Sequence, residues 1–541
     1  MKLFRRLSAL TMVLALLLSM SISVFAADYD AANIDDLWTA FNDTSGEDVN
    51  INLTTDIDGT ADDGGYYGVG GQDGINYNIR SDNDSSIGNI FFYSGESVTV
   101  DVAVEGFIHF DTTNATINQD VNGNVDTYNA NVEVNGDVNG GIGAYMSDVS
   151  VSGDVSGYVD AYSDGSVAVE GDVNGNIYAG QGGQITVGSD VNGSVDAYGD
   201  STVDIAGDVT AEGEDVWVGV SAGENATVTV GGDVTSDTEG VSAWGESTVT
   251  VGGNVTAGDN ISYEDDEYVY GGTAVNAGDN ATVTVGGDAI GGNAEGENYA
   301  YGGAGISAWG YEDSAPTVTV EGNVVGGNGS STSEESYAAQ GGSGVQMSGS
   351  ANVTVGGDAV GGGSDCVESF SIPGVQISCE PNQSAGSLTV EGEVIGGTGD
   401  EELGALNIST WQDPEAENQE PVAVPEIDVG AADSVEVFGF GEEEDARIKA
   451  ELEAAFVKKT DNFHADALWL VRNAEPGSEV TIYAGNRLVI TKDLIDAVIE
   501  NEVTLIVKWN GGEDLVIDKT ISGEFTDTYV NLADLAELLK K

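Results

Sequence analysis

Twelve oxygen-bearing residues occupy one position of a repeated phrase, Val-x-Val-x-Gly-Asp-Val, through the middle of this chain. They are Asp120, Asp137, Asp154, Asp172, Asp190, Asp208, Asp233, Asn254, Asp288, Asn323, Asp358 and Glu393. Carboxylates held in register are ligands for a hard cation, so Asp137, Asp154, Asp172, Asp190 and Asp208 are candidate calcium ligands. Stacked at the ~4.8 Å of neighbouring strands, two such charges repel by roughly 0.9 kcal/mol in water, which a bound cation would relieve. No cofactor is required by this pattern. Asp56-Ile57-Asp58-Gly59 lacks the remaining ligand spacing of an EF-hand, and Gly-Gly-x-Gly-x-Asp does not recur.

A second constellation follows the first five anchors. Five positions on stand Val125, Ile142, Val159, Ile177 and Val195, and two further Thr127, Ala144, Ala161, Ala179 and Ala197. With those turned inward, strand alternation turns Asp126, Asp160 and Asp196 outward, and then Tyr128, Tyr145, Tyr162 and Tyr198. Later coils keep the phrase with Trp244 and Trp309. Flat aromatic rings beside carboxylates are what sugar rings stack on, and a repeating array suits a repeating polymer. The competing reading is that the rings stack on one another and contribute only buried area. Outward Thr-x-Thr pairs at Thr227/Thr229, Thr248/Thr250, Thr282/Thr284 and Thr317/Thr319 suit an ice-binding face, although threonine is also simply a good strand residue.

Little else can do chemistry. His109 and His464 lie far apart, so neither a Cys/His metal cluster nor a Ser-His-Asp set is available. Cys366 and Cys379, the only cysteines, are 13 positions apart and in an oxidising compartment are expected to form a disulfide. From Ala27 to Ala446 a single basic residue, Arg80, faces 76 acidic ones, within a chain of net charge −78. Such a surface repels nucleic acid and anionic membrane.

The elements that position these residues follow from the repeat. Anchor spacings run 17, 17, 18, 18, 18, 25, 21, 34, 35, 35 and 35. A unit that short cannot bury its apolar face alone, so the fold expected is all-β, a parallel β-solenoid whose coils share one core. The doubled spacing places insertions at Gly258–Gly272, Gly291–Gly303, Gly326–Gly342 and Gly361–Pro373, carrying Tyr263, Tyr268, Tyr270, Tyr299, Tyr301 and Tyr337. Ile34 to Phe41 reads as a capping helix with Leu37, Trp38 and Phe41 on one side.

Lys2, Arg5 and Arg6, an apolar run from Leu10 to Met20 and Val24-Phe25-Ala26 read as a signal peptide over 1–26, which makes the chain secreted. No later stretch is apolar enough to insert the mature chain in a membrane. The solenoid is expected over 27–410, its cap at about 27–60 and its long-insert coils at about 254–393. Pro414, Pro421 and Pro425 make 411–436 a linker or last coil. A small C-terminal α/β module follows over 437–541: a helix from Glu442 that ends at Lys458-Lys459, strands at Leu468–Val471, Val480–Tyr483, Val503–Trp509 and Leu515–Ile517, and helices at Lys492–Asn501 and Leu532–Lys540.

On this degenerate repeat, residues 28 to 410 resemble secreted bacterial parallel β-helix proteins of the pectin-lyase-like kind. The end module is similar in style to those closing many clostridial-type surface proteins. The resemblance brings polysaccharide lyases and hydrolases into view, but lyases of that type use an Arg or Lys base near calcium, and here only Arg80 is on offer. The expectation is therefore a non-catalytic, adhesin-like surface protein binding extracellular polysaccharide or cell-surface glycan. A structural cell-surface spacer and a polysaccharide lyase or hydrolase are the alternatives.

Overall fold

The computed structural model describes residues 26–43, 48–60, 66–213, 216–262, 268–297, 299–310, 314–331, 339–364, 372–381, 384–397, 405–410, 422–432, 434–472, 474, 476–485, 489–509, 515–521 and 529–539. The signal-peptide reading of 1–26 lies almost wholly outside them. The chain divides into two compact units, Met1–Gly175 with Gly183–Ile185, and Asn176–Gly182 with Thr186–Lys541.

In the first unit the chain winds as a parallel β-solenoid between two sheets. A long sheet takes Ala27–Ala31, Val49–Leu53, Asn76–Ser81, Ser97–Val100, Asn114–Ile117, Asn131–Val134, Asp148–Val151 and Ser166–Val169. A second sheet takes Tyr67–Gly70, Ile90–Tyr93, Ile108–Asp111, Val125–Tyr128, Ile142–Tyr145 and Val159–Tyr162. Their pairings are parallel, for instance Val132 with Val149 and Ile142 with Val159. Inward Val, Ile and Ala alternate with outward polar residues, and Val134, Val138, Ile142, Val155 and Val159 are fully buried. The valine after each anchor forms a third contact line, Val104 to Val121 to Val138 to Val155 to Val173.

Corners after the second-sheet strands take left-handed backbone at Thr112, Asn129, Met146 and Ser163, with φ of 55°, 49°, 49° and 51°. Only Asn is well suited there, so the coil stack imposes the conformation. Many glycines serve a different purpose, close approach between coils.

Helix α1 (Ile34–Phe41) starts where the Asn33 side chain accepts the Asp36 N–H at 3.0 Å. It packs on Ala27–Ala31, Val49–Leu53 and Tyr67–Gly70 and covers the first coil. Leu37, Ala40 and Phe41 are buried, and Phe41 stacks on Tyr77 at 4.2 Å. Trp38, expected on that inner side, is 54% exposed instead. At 100° per residue the side that holds 37 and 41 also takes 40, which turns 38 outward.

The second unit repeats the design with longer coils. Its long-sheet strands include Thr202–Ile205, Thr227–Val230, Thr248–Val251, Thr282–Val285, Thr317–Val320, Asn352–Val355 and Ser387–Ile395. Glu426–Ala432 pairs parallel with Ser387–Ile395, and Val435–Phe438 pairs with Leu406–Thr410, so the chain completes a further coil before the end module. The insertions build small sheets of their own: Ile261–Ser262, Tyr268–Tyr270, Tyr299–Tyr301 and Ala339–Gln340 form one, and Ala294–Gly296 with Gly329–Ser331 another. Ala294, Ala300 and Ala339 with Val269 form their separate core.

Helix α2 (Glu442–Arg472) begins on the acidic turn Glu442–Asp445, complementing the helix dipole. It packs on Glu426–Ala432 and Val435–Phe438, and Lys449 Nζ reaches Glu436 at 3.2 Å. It runs on past Lys458-Lys459, its expected end, and through Leu468–Val471, expected to be a strand. Ala467 and Val471, four apart on one helix side, are buried in the module's core with Ile482, Leu494, Leu505 and Leu535. Helices α3 (Lys492–Glu500) and α4 (Leu532–Leu539) each follow directly on a short strand, Val489–Thr491 and Tyr529–Asn531, which pair antiparallel.

Candidate functional site

The anchor position explains itself one coil at a time. Asp120 Oδ1 accepts the backbone N–H of Asp137 at 3.0 Å, Asp137 Oδ1 that of Asp154 at 3.0 Å, and Asp154 Oδ1 that of Asp172 at 2.8 Å. In the second unit Asp190 accepts from Asp208 at 2.9 Å, and Asp208 from Asp233 at 2.8 Å. The ladder continues through Asn254, Asp288, Asn323 and Asp358 to the Glu393 N–H at 2.7 Å. Asn serves as well as Asp because the contact needs only a γ-oxygen. The residue before ten of the twelve anchors is glycine, Gln119 and Ser189 being the exceptions, for a related reason: a Cβ at Gly153 would lie 2.0 Å from Asp137 Oδ1, and one at Gly207 equally close to Asp190 Oδ1. The column assigned to calcium is thus a column of side-chain-to-backbone bonds. Among the described residues no group of three or more His, Cys, Asp or Glu converges to hold a metal ion.

Outward on the second sheet, the register brings the sequence-derived aromatics into line. Asp111, Tyr128, Tyr145 and Tyr162 are successive partners in the first unit. Tyr128 and Tyr145 are 42% and 43% exposed, and their rings stack at 5.3 Å and 8°. In the second unit Tyr198 lies 5.8 Å from Tyr178 and 5.6 Å from Trp244. Gly223 makes room for this, since a Cβ there would meet the Trp244 ring at 2.6 Å. Trp309 is fixed by a hydrogen bond from Nε1 to Ser307 Oγ at 2.8 Å.

The carboxylates form a second line. Asp126 pairs in register with His109 below and Gly143 above, and Gly143 with Asp160. Lacking a side chain, Gly143 leaves a notch into which Asp126 leans; a Cβ there would sit 2.6 Å from Asp126 Oδ1. Burial first, and Asp160 second, push the Asp126 carboxyl up to about 6; burial raises Asp160. Asp196 is also raised by burial, against a hydrogen bond from Ser221 that lowers it. The Ser221 hydroxyl is 3.4 Å from the Tyr198 hydroxyl as well, so one serine joins ring and carboxylate.

These shifts have a definite sign. A carboxyl raised in the folded chain holds its proton where the unfolded chain has lost it, so stability is highest below about pH 4 and falls as pH rises through about 6. Asp126→Asn is expected to raise the melting temperature at pH 7.5, by roughly 1–2 kcal/mol of stability, and to change nothing at pH 4. Circular-dichroism melts at the two pH values check this; equal shifts at both would contradict it.

Sequence reasoning missed several neighbours. Tyr158 lies over Gly141, where a Cβ would be 2.4 Å from the ring, and its hydroxyl accepts from Asn124 Nδ2 at 3.3 Å. Below Asp126, His109 packs on Phe91 at 4.8 Å, and Tyr66 on Phe107 at 5.1 Å. Burial holds the His109 imidazole below its usual range. A Gly opposite an aromatic one coil later was the available signal for Tyr158.

The insertions add an aromatic cluster. Tyr268 stacks on Tyr299 at 4.8 Å and 12°, and Tyr270 on Tyr301 at 5.6 Å and 22°, while Val269 packs against the core formed by Ala294, Ala300 and Ala339. Tyr263 and Tyr337 lie outside the described residues. The threonines also fall in register: Thr227, Thr248, Thr282 and Thr317 form one row, and Thr229, Thr250, Thr284, Thr319, Thr354 and Thr389 another. Threonine is a good outward strand residue, which suits both rows.

Cys379 is a free, buried thiol, pushed up to about 12 by burial. Cys366, its expected partner, lies outside the described residues, so the disulfide is not part of the described structure. Arg80, the one basic group of the solenoid, is exposed on Asn76–Ser81 in the long sheet. No described helix is long and apolar enough to cross a membrane. No family model, curated protein or solved structure matches the chain.

Proposed function

We propose that this is a secreted, non-catalytic, adhesin-like surface protein that binds extracellular or cell-surface glycan along the outward side of its second sheet and on its insertions. The observation that carries the reading is the register of Tyr128, Tyr145 and Tyr162 beside the half-buried Asp126 and Asp160. An aromatic body supplies stacking area, and the carboxylates accept from sugar hydroxyls. The insertion cluster of Tyr268, Tyr270, Tyr299 and Tyr301 offers the same chemistry again. Calcium enters as a counter-ion to a strongly acidic surface, not as a ligand of the anchor column. The pectin-lyase-like resemblance contributes the architecture; its lyase chemistry lacks a base here, since Arg80 lies on the other sheet.

One observation favours a second reading, a structural spacer: the Tyr128 and Tyr145 rings lie face to face and cover one another. Two measurements separate the readings. Incubation with polysaccharides should release no reducing ends or unsaturated products, and accumulation of either would replace the proposal with an enzyme. The Tyr268→Ala/Tyr299→Ala variant should weaken polysaccharide retention severalfold with an unchanged circular-dichroism spectrum; retention equal to the wild type would remove the insertions from the binding surface.

A further inference from the structure

We infer that the first unit holds a neutral, extended polysaccharide in a polar trough on the long sheet, a site distinct from the tyrosine column. This rests on the glycan-binding reading and adds a place and a ligand class.

The trough has a volume of about 680 Å³ and crosses five successive strands, from Ser97–Val100 to Ser166–Val169. Its floor is made by their outward residues, among them Asn131, Ser150, Ser166 and Ala168. Four inter-strand steps of ~4.8 Å give it a run of about 19 Å along the coil axis, room for roughly four sugar residues end to end.

At one end of the trough two polar groups are spent, Ser97 Oγ donating to Asn76 Oδ1 at 2.6 Å and Asn114 Oδ1 accepting the Asn131 N–H at 3.0 Å. On the flanking turns the asparagines are consumed between coils: Asn135 Nδ2 donates to Asn118 Oδ1 at 2.9 Å, and Asn139 Nδ2 to Asn122 Oδ1 at 2.8 Å. Within the trough, the Asn131 amide and the Ser150 and Ser166 hydroxyls make no side-chain hydrogen bond to a described protein group. Donors and acceptors left free in a concave strip match a ligand that is itself rich in hydroxyls.

The charge selects among such ligands. Glu133 and Asp148 are exposed in the strip and no cation lines it. Carboxylates accept from sugar hydroxyls but repel uronates, sulfates and nucleic acid. No aromatic ring lines the trough, so the chain is held there by hydrogen bonds and not by stacking. Tyr128 and Tyr145 precede Asn131 and Asp148 by three residues, across the left-handed corners at Asn129 and Met146, so the two rows run side by side along the axis.

Calorimetric titration of chain 27–541 with glucomannan, xyloglucan and soluble starch, and with polygalacturonate as the anionic control, tests this. At least one neutral polymer should bind and polygalacturonate should not. Ser150→Trp, which fills the trough, and Asn131→Ala/Ser166→Ala, which strips it of donors, should each lower that affinity tenfold or more without changing the melting curve. If both bind like the wild type while Tyr145→Ala/Tyr162→Ala does not, the trough is overturned and the glycan reading stands. Preferential binding of polygalacturonate overturns the ligand class. Failure of every polymer to bind the wild type overturns both.

Discussion

Alanine in place of Gly153 should cost the fold roughly 3 kcal/mol, whereas alanine at the exposed neighbour Ser152 should cost almost nothing. The new Cβ would lie 2.0 Å from Asp137 Oδ1 and 2.8 Å from the Gly136 carbonyl oxygen. Asp137 cannot swing aside freely, because the same Oδ1 accepts the Asp154 N–H at 3.0 Å. Asp137→Ala alone should cost about 1–3 kcal/mol, since it leaves that N–H without its acceptor. The double variant should then cost less than the sum, because the clash and the bond share one atom. Thermal melts of the four chains measure this. A Gly153→Ala chain that melts with the wild type, or strict additivity in the double variant, would contradict the ladder as the reason for the Gly-Asp phrase.

Replacing Tyr145, Tyr162 and Tyr198 together by alanine should reduce polysaccharide retention by roughly tenfold to a thousandfold. Aromatic contacts of this sort contribute about 0.5–1.5 kcal/mol each beyond the area they bury, so three removed amount to about 1.5–4.5 kcal/mol. Stability should barely move, because Tyr145 is 43% exposed and Ile142, Ala144, Val159 and Ala161 beneath the column stay buried. Unchanged retention with an unchanged melting curve would discard the aromatic column and leave the spacer as the better account.

Much of the architecture was legible in the sequence because it is periodic. Val132 and Val134, and their equivalents in later units, alternate with outward residues over strands of four, and the anchor spacing sets the length of each coil. What escaped was whatever depends on contacts between coils. The ladder from Asp137 to Asp154 joins residues 17 apart, so no local window holds both donor and acceptor. The insertions were visible as extra length, but their assembly into sheets with a core at Ala294, Ala300 and Ala339 depends on pairing across coils. Trp38 suits the inner side of α1 by hydrophobicity, but its helical angle relative to Leu37, Ala40 and Phe41 turns it outward. Leu468–Val471 was read as a strand because a short apolar run does not distinguish a strand from a helix side. The candidate site was legible as a set of positions, Asp126, Tyr128, Asp160 and Tyr162, but not as an environment. Gly143 lets Asp126 lean into the notch and lose solvent, and Tyr158 arrives from a position with no repeat signal.

Retention of the purified 27–541 chain on a panel of immobilised polysaccharides, run with calcium and then with a chelator, tests the central claim most directly. The account predicts that at least one polymer retains the chain, that nothing is cleaved from it, and that chelation weakens retention only modestly. Passage through every column unretained, in both conditions, would contradict it.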